Sequence, residues 1–273
     1  KCIPSLLQGL DAHRLAAAPL GNPRVIVCGG EPLTPAILRP FLEHMPLTRF
    51  VNHYGPTETT VDSLTAVMQA GTEPTLGESV TNSRHYILDS GLNPVPVNAI
   101  GELYVAGVNL ARGYLDKPGL SAERFVADPF VPDGSRMYRT GDVVRRLPDG
   151  TLEFRGRMDA QVKIRGFRIE PAEIEEVLRG LDGVAHAAVA ITKNRAGYDQ
   201  LLGYVTAAAA LDTAALRQQA RRPLPDYMVP TAVQQIPAIP LTANGKLDMG
   251  ALPVPERDGP VARPRNEQER IVA

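Results

Sequence analysis

The chain has no tryptophan, only two cysteines and 5% aromatic residues in 273 positions. Two cysteines, Cys2 and Cys28, exclude the disulfide framework of a small secreted domain. Neither has metal-ligand spacing, and the five histidines are scattered without a zinc pattern. Charge of one sign is also missing: 29 basic and 30 acidic residues give a net charge of −1. That balance provides no general attraction to nucleic acid or to an anionic membrane. No apolar run is long enough to span a bilayer, and "KCIPSLLQGLDAHR" is not a signal peptide. A cytoplasmic location is the expectation. What is present is an ordinary globular composition, 44% hydrophobic and 22% charged, with length for more than one compact unit. The start at Lys1 and the end in "RPRNEQERIVA" both read as cuts through a longer polypeptide.

Three textures follow one another. "RVIVC" (24–28) suits a buried parallel-type strand, "PAILRPFLEHM" (35–45) a helix after a Thr-Pro start, and "RFVNHYG" the next strand. Strand, helix, strand predicts an α/β unit, whose ligands sit beyond the carboxyl ends of the strands. Residues 67–158 carry short β-type runs between Gly, Pro, Asn and Asp turns, with "LPDGTLEF" as a hairpin signal. From 159 to 253 the pattern is α+β, with "PAEIEEVLRGL" (171–181) a short amphipathic helix. Residues 254–273 begin as a Pro-rich linker. Residues 1–66 would then be a remnant of a larger α/β subdomain.

Several stretches can carry chemistry. "NHYGPTETT" (52–60) places a ring, hydroxyls and one acid, Glu58, around a Gly-Pro turn. It reads either as an anion or metal site or as a plain polar turn with an exposed acid. "YRTGD" ends in Asp142, which can accept from two vicinal hydroxyls or close an Asx turn. Lys246 in "TANGKLD" reads locally as a surface turn lysine. His85 and His186 read as surface or satisfied histidines.

Six blocks occur in a fixed order: "NHYGPTE", "GELYVAGVNLARGYLDKPGLSAERFVADPF", "YRTGD", "GRMDAQVKIRGFRIEPAEIE", "LPDYMVP" and "NGKLD". Together they resemble the adenylation domains of nonribosomal peptide synthetases, within the acyl-adenylate-forming, AMP-binding enzymes. The resemblance runs from Lys1 to about Pro253, the second half of such a domain. The tail is similar to the start of a carrier-protein (thiolation) linker. The implied fold is a truncated adenylate-forming one: part of the large α/β subdomain, a β-rich subdomain and a small C-terminal lobe. The implied reaction is ATP-dependent activation of an amino acid as aminoacyl-AMP, then transfer to the phosphopantetheine of a carrier domain in cis, as in antibiotic biosynthesis. The family's Ser/Thr/Gly phosphate loop is not in this chain, so the expectation is that the chain alone is inactive.

The resemblance also implies roles. Glu58 would ligate Mg²⁺, with Thr57 near the phosphates, Tyr54 stacked on adenine and Asn52 reading its edge. Asp142 would hold the ribose with Arg157, and Lys246 would be the catalytic cation. Asp159 would be the hinge, with Lys163 and Gly166 on the pantetheine path. Lys1, Ile26, Cys28, His53, Val61 and Asp62 would line the amino-acid pocket, giving a polar substrate such as Asp or Asn. A basic or Gln-like side chain becomes comparable if Lys1 is out of register. Glu78 and Met249 depart from the family's usual basic residues. The alternatives are an acyl- or aryl-CoA ligase of the same superfamily, or a non-catalytic module that keeps the fold.

Overall fold

The computed structural model describes residues 1–17, 23–194, 197–242 and 247–253. It divides into two compact units, Lys1–Ala160 and Gln161–Ala273. Lys246 and the linker expected over 254–273 lie outside the described residues.

The first unit begins with two short helices, α1 (Pro4–Gln8) and α2 (Ala12–Ala16). Strand β1 (Val25–Gly29) then leads through helix α3 (Pro35–His44) to β2 (Arg49–Tyr54). The two strands are parallel, with Cys28 opposite Asn52 and Gly29 opposite His53. α3 starts where the sequence signals it: Pro35 holds the first turn and the Thr34 side chain accepts from the Ile37 amide. Leu7, Leu38 and Phe41 from the helices bury against Cys28 and Phe50 from the strands. β3 (Leu64–Met68) and β4 (Glu78–Ser79) complete a four-stranded sheet in the order β1-β2-β3-β4.

The β-rich part of the same unit holds β5 (Ser83–Leu88), β6 (Ile100–Gly107), helix α4 (Pro118–Arg124), β7 (Phe125–Ala127), β8 (Arg136–Arg146) and β9 (Leu152–Arg157). The sheet order is β5-β6-β8-β7, and β9 also pairs with β8. The "LPDGT" hairpin forms as read: the Leu147 amide donates to Thr151 O at 2.8 Å, and Gly150 takes φ +92°. The two sheets of this unit are tied where the Leu76 amide donates to Leu152 O at 2.7 Å. Tyr54, Leu64, Leu103, Val144 and Leu152 share one core there.

Two features depart from the sequence reading. "TGD" is not the turn that was one of its two readings; it lies inside β8. Gly141 takes φ +75°, so a residue that looks like a turn signal is instead an irregular step within one continuous strand. α4 also was not anticipated, because its seven residues, "PGLSAER", include a second-position Gly that weakens the helical pattern.

The second unit opens with a hairpin of β10 (Val162–Ile164) and β11 (Phe167–Ile169). Its two-residue loop, Arg165 and Gly166, has φ of +52° and +78°, the handedness that matches strand twist. Helix α5 (Pro171–Arg179) follows, with Pro171 at its first turn, Glu173 near its positive end and Arg179 near its negative end. Ile174 and Leu178, four apart, are fully buried against Val189 and Val205. Those two valines lie on β12 (His186–Lys193) and β13 (Asp199–Thr206), which pair antiparallel. Helix α6 (Thr213–Ala220) and strand β14 (Ala232–Gln235) close the unit, with β14 parallel to β13. Among the described residues, no helix is long and apolar enough to cross a membrane.

His186 is exposed, whereas His85 is a satisfied histidine. Arg146 Nη2 donates to His85 Nε2 at 2.9 Å, which leaves Nδ1 to donate to Ser79 Oγ at 2.6 Å. Burial, and then the Arg146 charge, push the imidazole pKa down to about 4. Between a free value of about 6.5 and that value, the unfolded chain binds a proton that the native form refuses. Stability therefore falls as pH drops through this window. The loss between pH 7 and pH 4.5, read by urea unfolding, is expected to shrink by on the order of 2 kcal/mol in His85→Gln. Equal losses in both proteins would refute the half-buried neutral imidazole.

Candidate functional site

The "YGPTETT" stretch is a compact bracket. Tyr54 ends β2, Pro56 is extended, and Thr57–Thr59 form a single 3-10 turn. Thr60 and Val61 then take φ of +56° and +72°, a region that β-branched residues seldom enter. Hydrogen bonds hold this strained return. The Ser63 amide donates to Tyr54 O at 2.8 Å, and the Val61 amide to Pro56 O at 3.3 Å. Thr59 and Ser63 hydroxyls bond at 2.6 Å. The loop after β6 braces the outside: Asn109 Nδ2 donates to Thr59 O at 3.0 Å, and the Ala111 amide to Glu58 O at 2.8 Å. Gly55 is required by proximity. A Cβ there would lie 2.3 Å from Val61 O and 2.9 Å from the Ser63 amide nitrogen.

The acid in this bracket is not exposed. Glu58 is 7% accessible, and the Tyr114 hydroxyl donates to its Oε1 at 2.6 Å. Burial, and then the hydrogen bond to Glu58, push the Tyr114 phenol well above its ordinary pKa, so it remains a donor. Tyr114 also meets the Tyr138 hydroxyl of β8 at 3.3 Å. Tyr54 is likewise buried rather than presented on a turn: its ring packs in the core and its hydroxyl donates to Asp142 Oδ2. Burial, followed by the Asp142 charge, raises its pKa well above the usual value.

Asp142 is the hub of the second acid site. Arg157 Nη1 reaches its Oδ1 at 2.5 Å, across the β8–β9 register that pairs these two residues. Arg157 also holds Asp159, with Nε at 2.6 Å from Oδ1. The other letters of "YRTGD" support that acid. Thr140 Oγ1 accepts from the Asp142 amide at 3.0 Å and donates to Leu103 O at 2.7 Å. Arg139 Nε and the Gly141 amide both donate to buried Glu102, at 3.0 and 3.1 Å. Among the described residues each Asp142 oxygen has one protein donor, and a carboxylate oxygen accepts two.

The structure thus joins Tyr54, Asp142, Arg157 and Asp159 in one network, and Glu58 reaches the same strand through Tyr114 and Tyr138. Asn52 is buried apart from these contacts, with its Nδ2 donating to Thr75 O at 2.8 Å. Two tyrosine contacts join the strand-end bracket to β8. It also gathers Lys1, His53 and Asp62. Lys1 Nζ lies 2.8 Å from both Asp62 oxygens, and His53 Nδ1 is 3.1 Å from Oδ2. Burial raises the Asp62 pKa, but hydrogen bonds from Lys1 and His53 outweigh it and hold the carboxyl below its usual range. Val61, beside Asp62, is exposed. Ile26 and Cys28 are not brought to this cluster. They pack with the helices, whereas His53 is next in sequence to Asn52, the partner of Cys28, and so points from the other face of the sheet. Lys163 and Gly166 belong to the second unit, and Lys246 lies outside the described residues.

Tyr114, Glu102 and Thr140 were not singled out from sequence. Tyr114 is 56 positions from Glu58, and nothing local marks it as a partner. The spacing in "GELY" does bring Glu102 beside Tyr104, whose hydroxyl donates to it at 3.2 Å.

With this geometry in view, the class is defined by comparison. The profile of the AMP-binding enzymes matches residues 1–115, and that of the AMP-binding enzyme C-terminal domain matches residues 173–246. The chain belongs to the AMP-binding enzyme family. It is 48% identical over 254 residues to a dimodular nonribosomal peptide synthase of Bacillus subtilis, covering 91% of this chain and 10% of that protein. It is 47% identical to surfactin synthase subunit 2 of the same organism, covering 85% and 7%. A solved nonribosomal peptide synthetase protein containing adenylation and PCP domains superposes with a TM-score of 0.80 at 31% identity, covering 92% of this chain and 43% of that one. The chain therefore spans a tenth or less of the length of these curated relatives and under half of that solved chain.

The bracket makes a stability prediction. Gly55→Ala forces a Cβ against backbone atoms and is expected to cost about 3 kcal/mol, while Gly119→Ala, in α4 with nothing within 4 Å, is expected to gain about 0.5 kcal/mol. Thermal unfolding of the two variants decides this, and equal stabilities would contradict the packing described.

Proposed function

We propose that this chain is part of an amino-acid-activating adenylation domain of a nonribosomal peptide synthetase. In this reading, it serves ATP-dependent formation of an aminoacyl adenylate and delivery to a carrier domain in the same polypeptide. One observation carries the reading: Glu58 and Asp142, 84 positions apart in the sequence, are held buried in one unit by tyrosines that link the Gly-Pro bracket to β8. Identity near 48% to a synthase of this kind supports it.

Asp142, steadied by Arg157, offers remaining lone pairs to the ribose hydroxyls. Asn52 and Tyr54 lie on the adenine side, although the ring of Tyr54 is mostly enclosed by protein. Thr57 stands beside the phosphates. Among the described residues, no group of three His, Cys, Asp or Glu side chains is placed to hold a metal ion. A single buried carboxylate suits Mg²⁺ that arrives bound to phosphate oxygens, and Glu58 is the residue that would hold it. Such an ion would neutralise charge on the phosphates. The catalytic cation in this scheme is Lys246. Asp159, next to the last residue of the first unit, is the proposed hinge. Lys163 and Arg168 face each other across the β10–β11 pair, two cations that suit the phosphate of phosphopantetheine, with Gly166 at the turn.

For the amino-acid side chain we assign Lys1, His53, Val61 and Asp62. Lys1 and Asp62 neutralise each other, so the cluster offers both donors and acceptors rather than one uncompensated charge. A polar side chain such as Asn, which both donates and accepts, meets it best. ATP–pyrophosphate exchange by the full-length protein over the proteinogenic amino acids tests this. The expected result is exchange with a polar amino acid, lowered roughly 100-fold or more by Glu58→Gln and roughly tenfold by Tyr114→Phe. Exchange confined to Leu, Val or Phe would overturn the pocket, and no amino-acid-dependent exchange would overturn the function.

A further inference from the structure

Cys2 and Cys28 are the only cysteines of the chain, and neither is needed by the chemistry above. They are nonetheless neighbours. Cys2 lies just before α1 and forms an isolated parallel bridge to Cys28 of β1. Its amide donates to Val27 O at 2.8 Å, and the Gly29 amide donates to Cys2 O at 3.2 Å. This register turns both thiols to one face, and their Sγ atoms are 3.9 Å apart. Adjacent strands lie about 4.7–4.9 Å apart, within the roughly 4.4–6.8 Å that Cα atoms of a disulfide adopt. Bonding then needs the sulfurs to close to about 2.05 Å. Two backbone bonds hold the Cys2 segment beside β1, and a small rearrangement of the two side chains supplies the movement. The two thiols differ in access: Cys2 is half-buried and Cys28 fully buried.

We propose that Cys2 and Cys28 form a dithiol modification site, oxidised by a low-molecular-weight disulfide to an intramolecular disulfide that staples the start of the chain to β1. The accessible Cys2 reacts first. Its thiolate attacks one sulfur of the small disulfide, forms a Cys2 mixed disulfide and releases one small thiolate. Cys28 then attacks the Cys2 sulfur, loses its proton and releases the second small thiol. Two protein thiols are oxidised and one small disulfide is reduced to two thiols, so atoms and electrons balance. The order of attack agrees with the thiol environments. The hydrogen bond from Cys28 lowers the Cys2 pKa to about 7, and the same bond is the main cause that raises Cys28. Capping Cys2 removes that cause and frees Cys28 to react.

The test is peptide mapping of the full-length protein after exposure to oxidised glutathione, blocking of free thiols with an alkylating agent, and tryptic digestion without reductant. The expected product is peptide 2–14 joined to peptide 25–49, with a mass two hydrogen atoms below the sum of the two. Cys28→Ala should instead stop at glutathionylated Cys2, and Cys2→Ser should leave Cys28 unmodified until the protein is denatured. The wild-type result decides without either variant. Wild-type protein that stops at glutathione on Cys2, or that keeps both thiols free, overturns the proposal.

Discussion

The buried carboxylate of Asp142 is the constraint around which the first unit is arranged. An ionised carboxylate inside a protein needs a counter-charge and donors, because desolvation alone costs several kcal/mol. Arg157 supplies the charge from β9 at 2.5 Å, and Tyr54 supplies a hydroxyl from the end of β2. Removing one partner of such a buried pair commonly costs about 3–5 kcal/mol, a large share of a domain's net stability. The two sheets of this unit are therefore joined by more than apolar contact. Their relative register fixes where the acid sits, and the acid in turn requires that register.

A second acid repeats this logic close by. Glu102 is buried under β8, takes Arg139 as its counter-charge and accepts from the Gly141 amide. This fixes the left-handed step at Gly141, which carries the chain past Arg157 and Asp159. A Cβ at Gly141 would lie 2.8 Å from Arg157 Nη2. The five letters of "YRTGD" thus do five separate jobs: Tyr138 fills the core and meets Tyr114, Arg139 pairs with Glu102, Thr140 bonds two strands, Gly141 supplies the conformation, and Asp142 is the acid. Their local order is compact, but apart from the bond between Thr140 and the Asp142 amide the partners are remote in sequence.

That distinction explains what could be read from the sequence. β1, α3 and β2 were legible because hydrophobic period and Pro-based helix starts are local signals. So was the "LPDGT" hairpin, and so was α5. The long strand β8 was not, since Gly141 imitates a turn. Glu58 and Asp142 were singled out through motif resemblance, yet their burial was not foreseen. Burial depends on Tyr114 and Tyr54 arriving from elsewhere in the fold. The relation of Lys1 to Asp62 was missed for a similar reason. Read along the chain they are a separate cation and acid, whereas in space they neutralise each other.

The strained return at Thr60 and Val61 has one more consequence. Its path is set by Gly55, by backbone bonds to Pro56 and Tyr54, and by braces from Asn109 and Ala111. The side chain of Val61 takes little part and is 55% exposed. Shape and chemistry are thereby uncoupled within a few consecutive residues. Exchange at 61 and 62 can retune what the exposed side meets without disturbing the buried acid at 58.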